Sequence, residues 1–175
     1  MGDQKISHSA AFQSYLKEIH KRYVKGDYTE PTYYTPLENF VRSLHDQFDV
    51  TLQPKRIQKI GAPDFKALKD GVTVGYIEAK DLGKNLDNEL ESEQIKKYKE
   101  SINNIILTNY SRFILLKNNQ AIFDVNLFSL SDLSNPNAVI RESKIEEFIQ
   151  LTDTFFGYSQ PTIRSAKVLA EELAC

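Results

Sequence analysis

Two apolar runs that meet at Asp70-Gly71 constrain the fold of this chain more than any other feature. Residues 65–68 and 72–79 flank that dipeptide, and Asp-Gly readily takes the two positive-φ positions of a tight hairpin turn. The spacing predicts two antiparallel strands. A hairpin alone is marginal in water, so further strands and an apolar layer must support it. Candidates lie on both sides. Val50 and Leu52, then Ile57 and Ile60 beyond Pro54, read as a short strand or extended segment leading into the hairpin. Ile105-Ile106-Leu107 and Phe113-Ile114-Leu115-Leu116 are continuous apolar runs of the kind that strands buried on both faces carry. Asn118-Asn119-Gln120 then turns the chain into a further strand over 121–128.

Helical periodicity brackets these strands. Phe12, Tyr15, Leu16, Ile19 and Tyr23 predict a helix over 11–24, with Ser7 and Ser9 as candidate caps and Gly26 just past its end. Leu37, Phe40, Val41, Leu44 and Phe48 predict a second helix. It starts either at the capping box Thr35-Pro36-Leu37-Glu38 or one to two turns earlier, at Thr29-Glu30-Pro31. A charged helix is expected over 89–102, with Leu90, Ile95, Tyr98 and Ile102 on one face, and a late one carries Ile145, Phe148, Ile149, Thr152 and Phe155. Residues 131–137 read as a polar loop. The order helix, helix, three strands, helix, two or three strands, helices is a mixed α/β layer arrangement.

Composition narrows the functional classes. A length of 175 residues fits one domain rather than two. No apolar run approaches the ~18 to 20 residues of a membrane-spanning helix, and the polar start Met1-Gly2-Asp3-Gln4-Lys5 lacks a secretory core. Cys175 is the single cysteine, which leaves no internal disulfide or cysteine-based zinc site and fits a reducing cytoplasm. Lys plus Arg number 22 against 24 Asp plus Glu, a balance unsuited to a general nucleic-acid coat but compatible with a nuclease. His8, His20 and His45 show no metal-ligand spacing and read as surface or packing residues. Neither a nucleophile elbow, a Walker loop, a dinucleotide fingerprint nor a methyltransferase or helicase motif is present. Residues 161–175 are helix-prone and end without a stop signal, so a longer polypeptide is expected.

Chemistry concentrates around the hairpin. Asp64 follows Gly61-Ala62-Pro63 at the mouth of one strand, and Glu78 and Lys80 lie in the other. Residues two apart in a strand share a face, so Glu78 and Lys80 point one way while Ile77 and Ala79 point the other. Hairpin pairing brings Asp64 toward Glu78, two hard oxygen ligands suited to Mg²⁺ with an ammonium beside them. Such a centre suits phosphodiester hydrolysis, with Lys80 orienting or helping to deprotonate the attacking water. The bare acid-x-lysine pattern starts at Asp3, Asp64, Glu78 and Glu142, four times in all, so an exposed edge-strand ion pair worth ~0 to 1 kcal/mol is the ordinary alternative. Only the Glu78 copy sits in an apolar strand behind a Pro-Asp.

Gly61-Ala62-Pro63-Asp64-Phe65 followed by Gly75-Tyr76-Ile77-Glu78-Ala79-Lys80-Asp81 resembles the PD-(D/E)xK nuclease signature. More narrowly, it is similar to the N-terminal endonuclease domain of single-chain restriction-modification enzymes of type IIG and type ISP. Leu86-Asp87, Ser92-Glu93-Gln94-Ile95-Lys96-Lys97-Tyr98 and Asn104-Ile105-Ile106-Leu107-Thr108-Asn109-Tyr110 extend the likeness, as do Thr29-Glu30 and Tyr33-Tyr34-Thr35-Pro36-Leu37 upstream. It covers residues 28–118, and more loosely the remainder.

The resemblance implies a restriction-endonuclease-like fold, a mixed central sheet with an αβββαβ core flanked by helices. It implies that Asp64 and Glu78 bind the catalytic metal, Mg²⁺ with Mn²⁺ as substitute, and that Lys80 is the catalytic lysine. Gln94 and Tyr98 match the family's Gln-x-x-x-Tyr element, and their four-residue spacing puts both on one helix face; surface exposure and core packing are the ordinary readings. The upstream acid is Glu30 or Glu38, with Glu30 favoured because Glu38 serves the capping box. Glu30 could equally complement a helix dipole. Lys55, Arg56 and Lys59 are placed for DNA backbone contact, whereas Lys96, Lys97 and Lys99 read as a solvated face. The expectation is an endonuclease domain over 1–160, a helical connector over 161–175, and downstream methyltransferase or helicase regions in a prokaryotic cytoplasm. Double-stranded DNA is the expected partner, and cutting both strands would involve dimerisation. A cleavage-inactive DNA-binding or docking module and a standalone repair or recombination nuclease are the alternatives.

Overall fold

A computed structural model of the chain describes residues 2–26, 28–52 and 61–157. Lys55, Arg56 and Lys59, the Ile57 and Ile60 pair, and the connector over 161–175 lie outside the described residues. The hairpin forms as expected: β2 (Phe65–Lys69) and β3 (Val72–Ala79) are antiparallel and joined at Asp70 and Gly71, whose φ values are 51° and 77°. Both central residues are left-handed, so the turn's twist matches that of its strands. Asn118 and Asn119, at φ 49° and 67°, repeat the device between β5 (Arg112–Lys117) and β6 (Gln120–Asn126).

With β1 (Asp49–Leu52) and β4 (Asn104–Thr108) these strands make a mixed six-stranded sheet in the order β1-β2-β3-β4-β5-β6. Every neighbour pair is antiparallel except β3 and β4, which run parallel with Glu78 opposite Leu107. A parallel step needs a crossover, and α3 (Leu86–Leu90) and α4 (Glu93–Ser101) provide it. They cover one face of the sheet. The other face carries α1 (Gly2–Tyr23), α2 (Tyr34–Leu44) and α5 (Glu142–Phe156).

Each face has its own core. Phe12, Leu37, Phe40, Ile77, Ala79, Ile106, Phe113 and Phe148 pack on the larger side, and Leu86, Ile95, Tyr98, Ile105, Leu107 and Ile114 on the smaller. β4 and β5 therefore bury both sets of alternating side chains, which is why their sequences read as unbroken apolar runs. Strand β6 is an edge and is mostly exposed. No helix among the described residues is long and apolar enough to cross a membrane.

Three local expectations are corrected. Helix α1 runs from Gly2 through Ser7 and Ser9, so neither serine caps it; a cap needs non-helical backbone at that residue. The charged helix over 89–102 is two helices. Ser92 is extended and its hydroxyl accepts from Ile95 N at 3.2 Å, a cap that starts a new helix inside the periodic stretch. The capping box at Thr35 does not form either. A 3-10 turn (Glu30–Tyr33) opens after an extended Thr29 and runs into α2, leaving Thr35 inside the helix and Glu38 paired to Arg42 at 2.9 Å.

Candidate active site

The β-hairpin register places Phe65 opposite Ile77, so Asp64, one residue before β2, comes level with Glu78. Asp64 Oδ2 accepts a hydrogen bond from Ala79 N at 2.8 Å, which fixes the carboxylate against β3. Glu78 points to the α3/α4 face while Ile77 and Ala79 enter the larger core, as alternation requires. The ordinary alternative fails on position: β3 lies inside the sheet rather than at its edge, and Glu78 is 3% exposed. Lys80 follows the strand, its backbone N–H bound to Thr108 O at 2.8 Å. Its Nζ donates to Glu78 Oε1 at 2.8 Å and to Gln94 Oε1 at 2.7 Å.

Gln94 and Tyr98 reach the site from α4, where Gln94 Nε2 donates to Tyr98 Oη at 3.3 Å. Tyr98 is fully packed as well, so its core reading and its place beside the site both hold. Gly61 lies under the ring at φ 124°, and a Cβ there would come 3.2 Å from Tyr98 Oη. The positive φ favours glycine, and an added Cβ would press lightly on the Tyr98 hydroxyl. Glu30 arrives from the 3-10 turn, and Tyr34 Oη lies 2.6 Å from both Glu30 Oε1 and Asp64 Oδ1. The structure thus brings Asp64, Glu78, Lys80, Gln94, Tyr98 and Glu30 together and leaves Glu38 with Arg42. Sequence reasoning did not single out Tyr34, Asp81 or Tyr110. The four-residue spacing from Glu30 to Tyr34 was the available signal for the first.

The electrostatics follow from burying acids together. Burial first, and then the nearby Asp64 carboxylate, push the Glu78 carboxyl up to about 7, despite the opposing pull of Lys80. Burial also raises Glu30, against the hydrogen bond from Tyr34. Desolvation works against the Lys80 ammonium, but contact with Glu78 outweighs it and the group is held above the usual lysine range. The Lys80 ammonium is therefore held in its charged form, in which its N–H groups donate.

A raised carboxyl contributes stability that is complete below its ordinary value near 4.5 and lost as pH climbs through about 7. Metal-free protein should lose about 2 to 3 kcal/mol through Glu78 between pH 5 and 8. Neutral His45, whose burial lowers it, works in the opposite sense over the same window. The comparison is accordingly between wild type and Glu78→Gln, by urea unfolding in chelator. The Gln variant should lack the alkaline loss, and parallel curves would contradict this account.

Glu78 Oε2 is buried and has no hydrogen-bond partner among the described residues. An orphaned carboxylate oxygen costs roughly 1–3 kcal/mol or more, and beside Asp64 a hard cation is the partner that its chemistry accepts. The residues fit Mg²⁺ on that ground. Among the described residues no three His, Cys, Asp or Glu groups close around a cation, so Asp64 and Glu78 would leave coordination to water and phosphate, as Mg²⁺ favours.

No protein-family model and no curated protein matches the sequence. Its fold has a solved counterpart. A cryo-electron microscopy structure of DrdV in complex with DNA matches it with a TM-score of 0.65 at 18% identity, over 88% of this chain. The chain spans 14% of the DrdV chain. At this identity the likeness to DrdV is one of fold: a mixed sheet with helices on both faces.

Proposed function

We propose that this chain is a Mg²⁺-dependent DNA endonuclease domain of PD-(D/E)xK type, the cleavage module of a restriction-modification enzyme. The observation that carries the reading is the orphaned Glu78 oxygen, buried beside Asp64 and the Lys80 ammonium at one end of the sheet. The shared fold with DrdV, a protein solved on DNA, supports a DNA substrate.

Asp64 and Glu78 would hold the cation. When bound, Mg²⁺ neutralises phosphate charge and makes a coordinated water more acidic. Lys80 has three N–H donors; among the described residues Glu78 and Gln94 occupy two, and the third would serve the attacking water or a phosphate oxygen. Gln94 keeps the ammonium aimed, and Tyr98 and the α4 packing keep Gln94 aimed. As an ammonium beside the carboxylates, Lys80 would orient the attacking water and stabilise charge on the phosphate. Methyltransferase or helicase regions beyond this chain, and a second copy for double-strand cutting, belong to the same proposal.

Nicking of supercoiled plasmid at micromolar protein tests it. Mg²⁺ or Mn²⁺ should support cleavage and Ca²⁺ should not, since the larger ion tolerates looser geometry and activates water less. Cleavage that persists in excess chelator would refute the metal mechanism.

A further inference from the structure

Asp64 and Glu30 reach the site from different elements, the mouth of β2 and the 3-10 turn, and one hydroxyl joins them. Tyr34 Oη lies 2.6 Å from Asp64 Oδ1 and 2.6 Å from Glu30 Oε1. A phenol donates a single proton, so the two carboxylates compete for it at equal distance. The ring itself is pinned, 8% exposed and edge-on to Phe65 at 5.1 Å between centroids. The other Asp64 oxygen is taken by Ala79 N, so the β3 backbone and Tyr34 together set the plane of this carboxylate.

Glu30 is held with equal care. Its N–H donates to Asp81 Oδ1 at 2.8 Å, and its carbonyl accepts from Tyr110 Oη at 2.6 Å. Tyr110 is fully buried with φ 71°, an uncommon backbone for so bulky a residue, and its own carbonyl accepts from Tyr15 Oη at 2.7 Å. Asp81 and Tyr110 thus fix the backbone of a segment that carries one acid, and Tyr15 in turn holds Tyr110.

We infer that Tyr34 is a positioning residue: its hydroxyl presents Asp64 to a divalent cation at a fixed angle and keeps Glu30 within reach of the same centre. The inference rests on the cleavage reading above and names what holds that site in register. Partners that orient ligating carboxylates typically govern metal affinity or activity by 10 to 100-fold.

Tyr34→Phe removes the hydroxyl and keeps the ring on Phe65. Calorimetric titration with MnCl₂ in the absence of DNA should show affinity reduced about 10 to 100-fold. Plasmid cleavage should show kcat reduced by about the same factor with KM for DNA within about twofold, because the hydroxyl faces the acids rather than the duplex. Thermal unfolding in chelator, run in parallel, reports whether the fold is intact. A variant with wild-type Mn²⁺ affinity and kcat overturns the inference, and so does one whose only change is a lower melting temperature. A wild-type chain that binds Mn²⁺ yet leaves DNA intact would sink the cleavage reading, and the Mn²⁺ titration would still judge Tyr34 alone.

Discussion

Replacing Asp64, Glu78 or Lys80 by Ala should lower Mg²⁺-dependent plasmid cleavage about a thousandfold or more, roughly 4 kcal/mol of transition-state stabilisation. The three variants should differ in stability even while they agree in activity. Glu78→Ala removes a buried acid whose charged form is disfavoured by burial and by Asp64, so the metal-free protein should be no less stable at pH 8. Lys80→Ala leaves Glu78 buried without its ammonium and should be destabilised at the same pH, since breaking a buried pair strands the remaining charge. Wild-type cleavage by any two of the three would show that the site lies elsewhere.

Gly75→Ala should destabilise the fold by about 3 kcal/mol, although it adds a single methyl group and touches none of the charged side chains. Gly75 sits in β3, and a Cβ there would lie 2.6 Å from Phe155 Cε2, 2.7 Å from Asn104 Nδ2 and 2.7 Å from Asn104 O. The last of these is backbone of the central strand β4 and has no room to give. Asn104 Nδ2 also donates to Val74 O and Phe155 O at 2.8 Å each, tying β3 and α5 to β4, so displacing it breaks two buried hydrogen bonds. A drop in melting temperature of about 10 °C is expected for a domain of this size. Gly71→Asn is the contrast: a Cβ there meets nothing, and Asn tolerates left-handed backbone, so the cost should stay below about 1 kcal/mol. Equal stability of Gly75→Ala and wild type would mean that the β3, β4 and α5 contact is looser than described.

Much of the site is local in origin, and local features are what a sequence displays. The Asp70-Gly71 turn sets the register that brings Asp64 level with Glu78, and strand alternation separates Glu78 from Ile77 and Ala79. The four-residue step from Gln94 to Tyr98 places both on one face of α4. Each relation spans a few residues and depends on backbone geometry alone, so the hairpin, the apolar central strands and the candidate acids were legible in order. The fold class followed, because alternating and continuous apolar runs report how many faces a strand buries. Periodicity alone does not reveal the side-chain cap that breaks the helix at Ser92, and of the two starts open for the second helix the structure takes the earlier, with the chain turning helical after Thr29.

What remained hidden depends on contacts between residues far apart in the chain. Whether the Glu78–Lys80 pair lies on an exposed edge or in the interior is decided by β4, whose pairing with β3 turns a surface ion pair into a buried one with an orphaned oxygen. The shift of Glu78 to about 7 exists only because burial and Asp64 act on it together. That Glu30 rather than Glu38 lies beside Asp64 depends on Tyr110 and Asp81, 80 and 51 residues along the chain from Glu30, which bind its backbone. Hairpin register and strand alternation, both readable along the chain, place the candidate acids and the strand that presents them. The tertiary structure decided their burial, partners and charge, because desolvation and Coulomb interaction depend on distance in space and not along the chain.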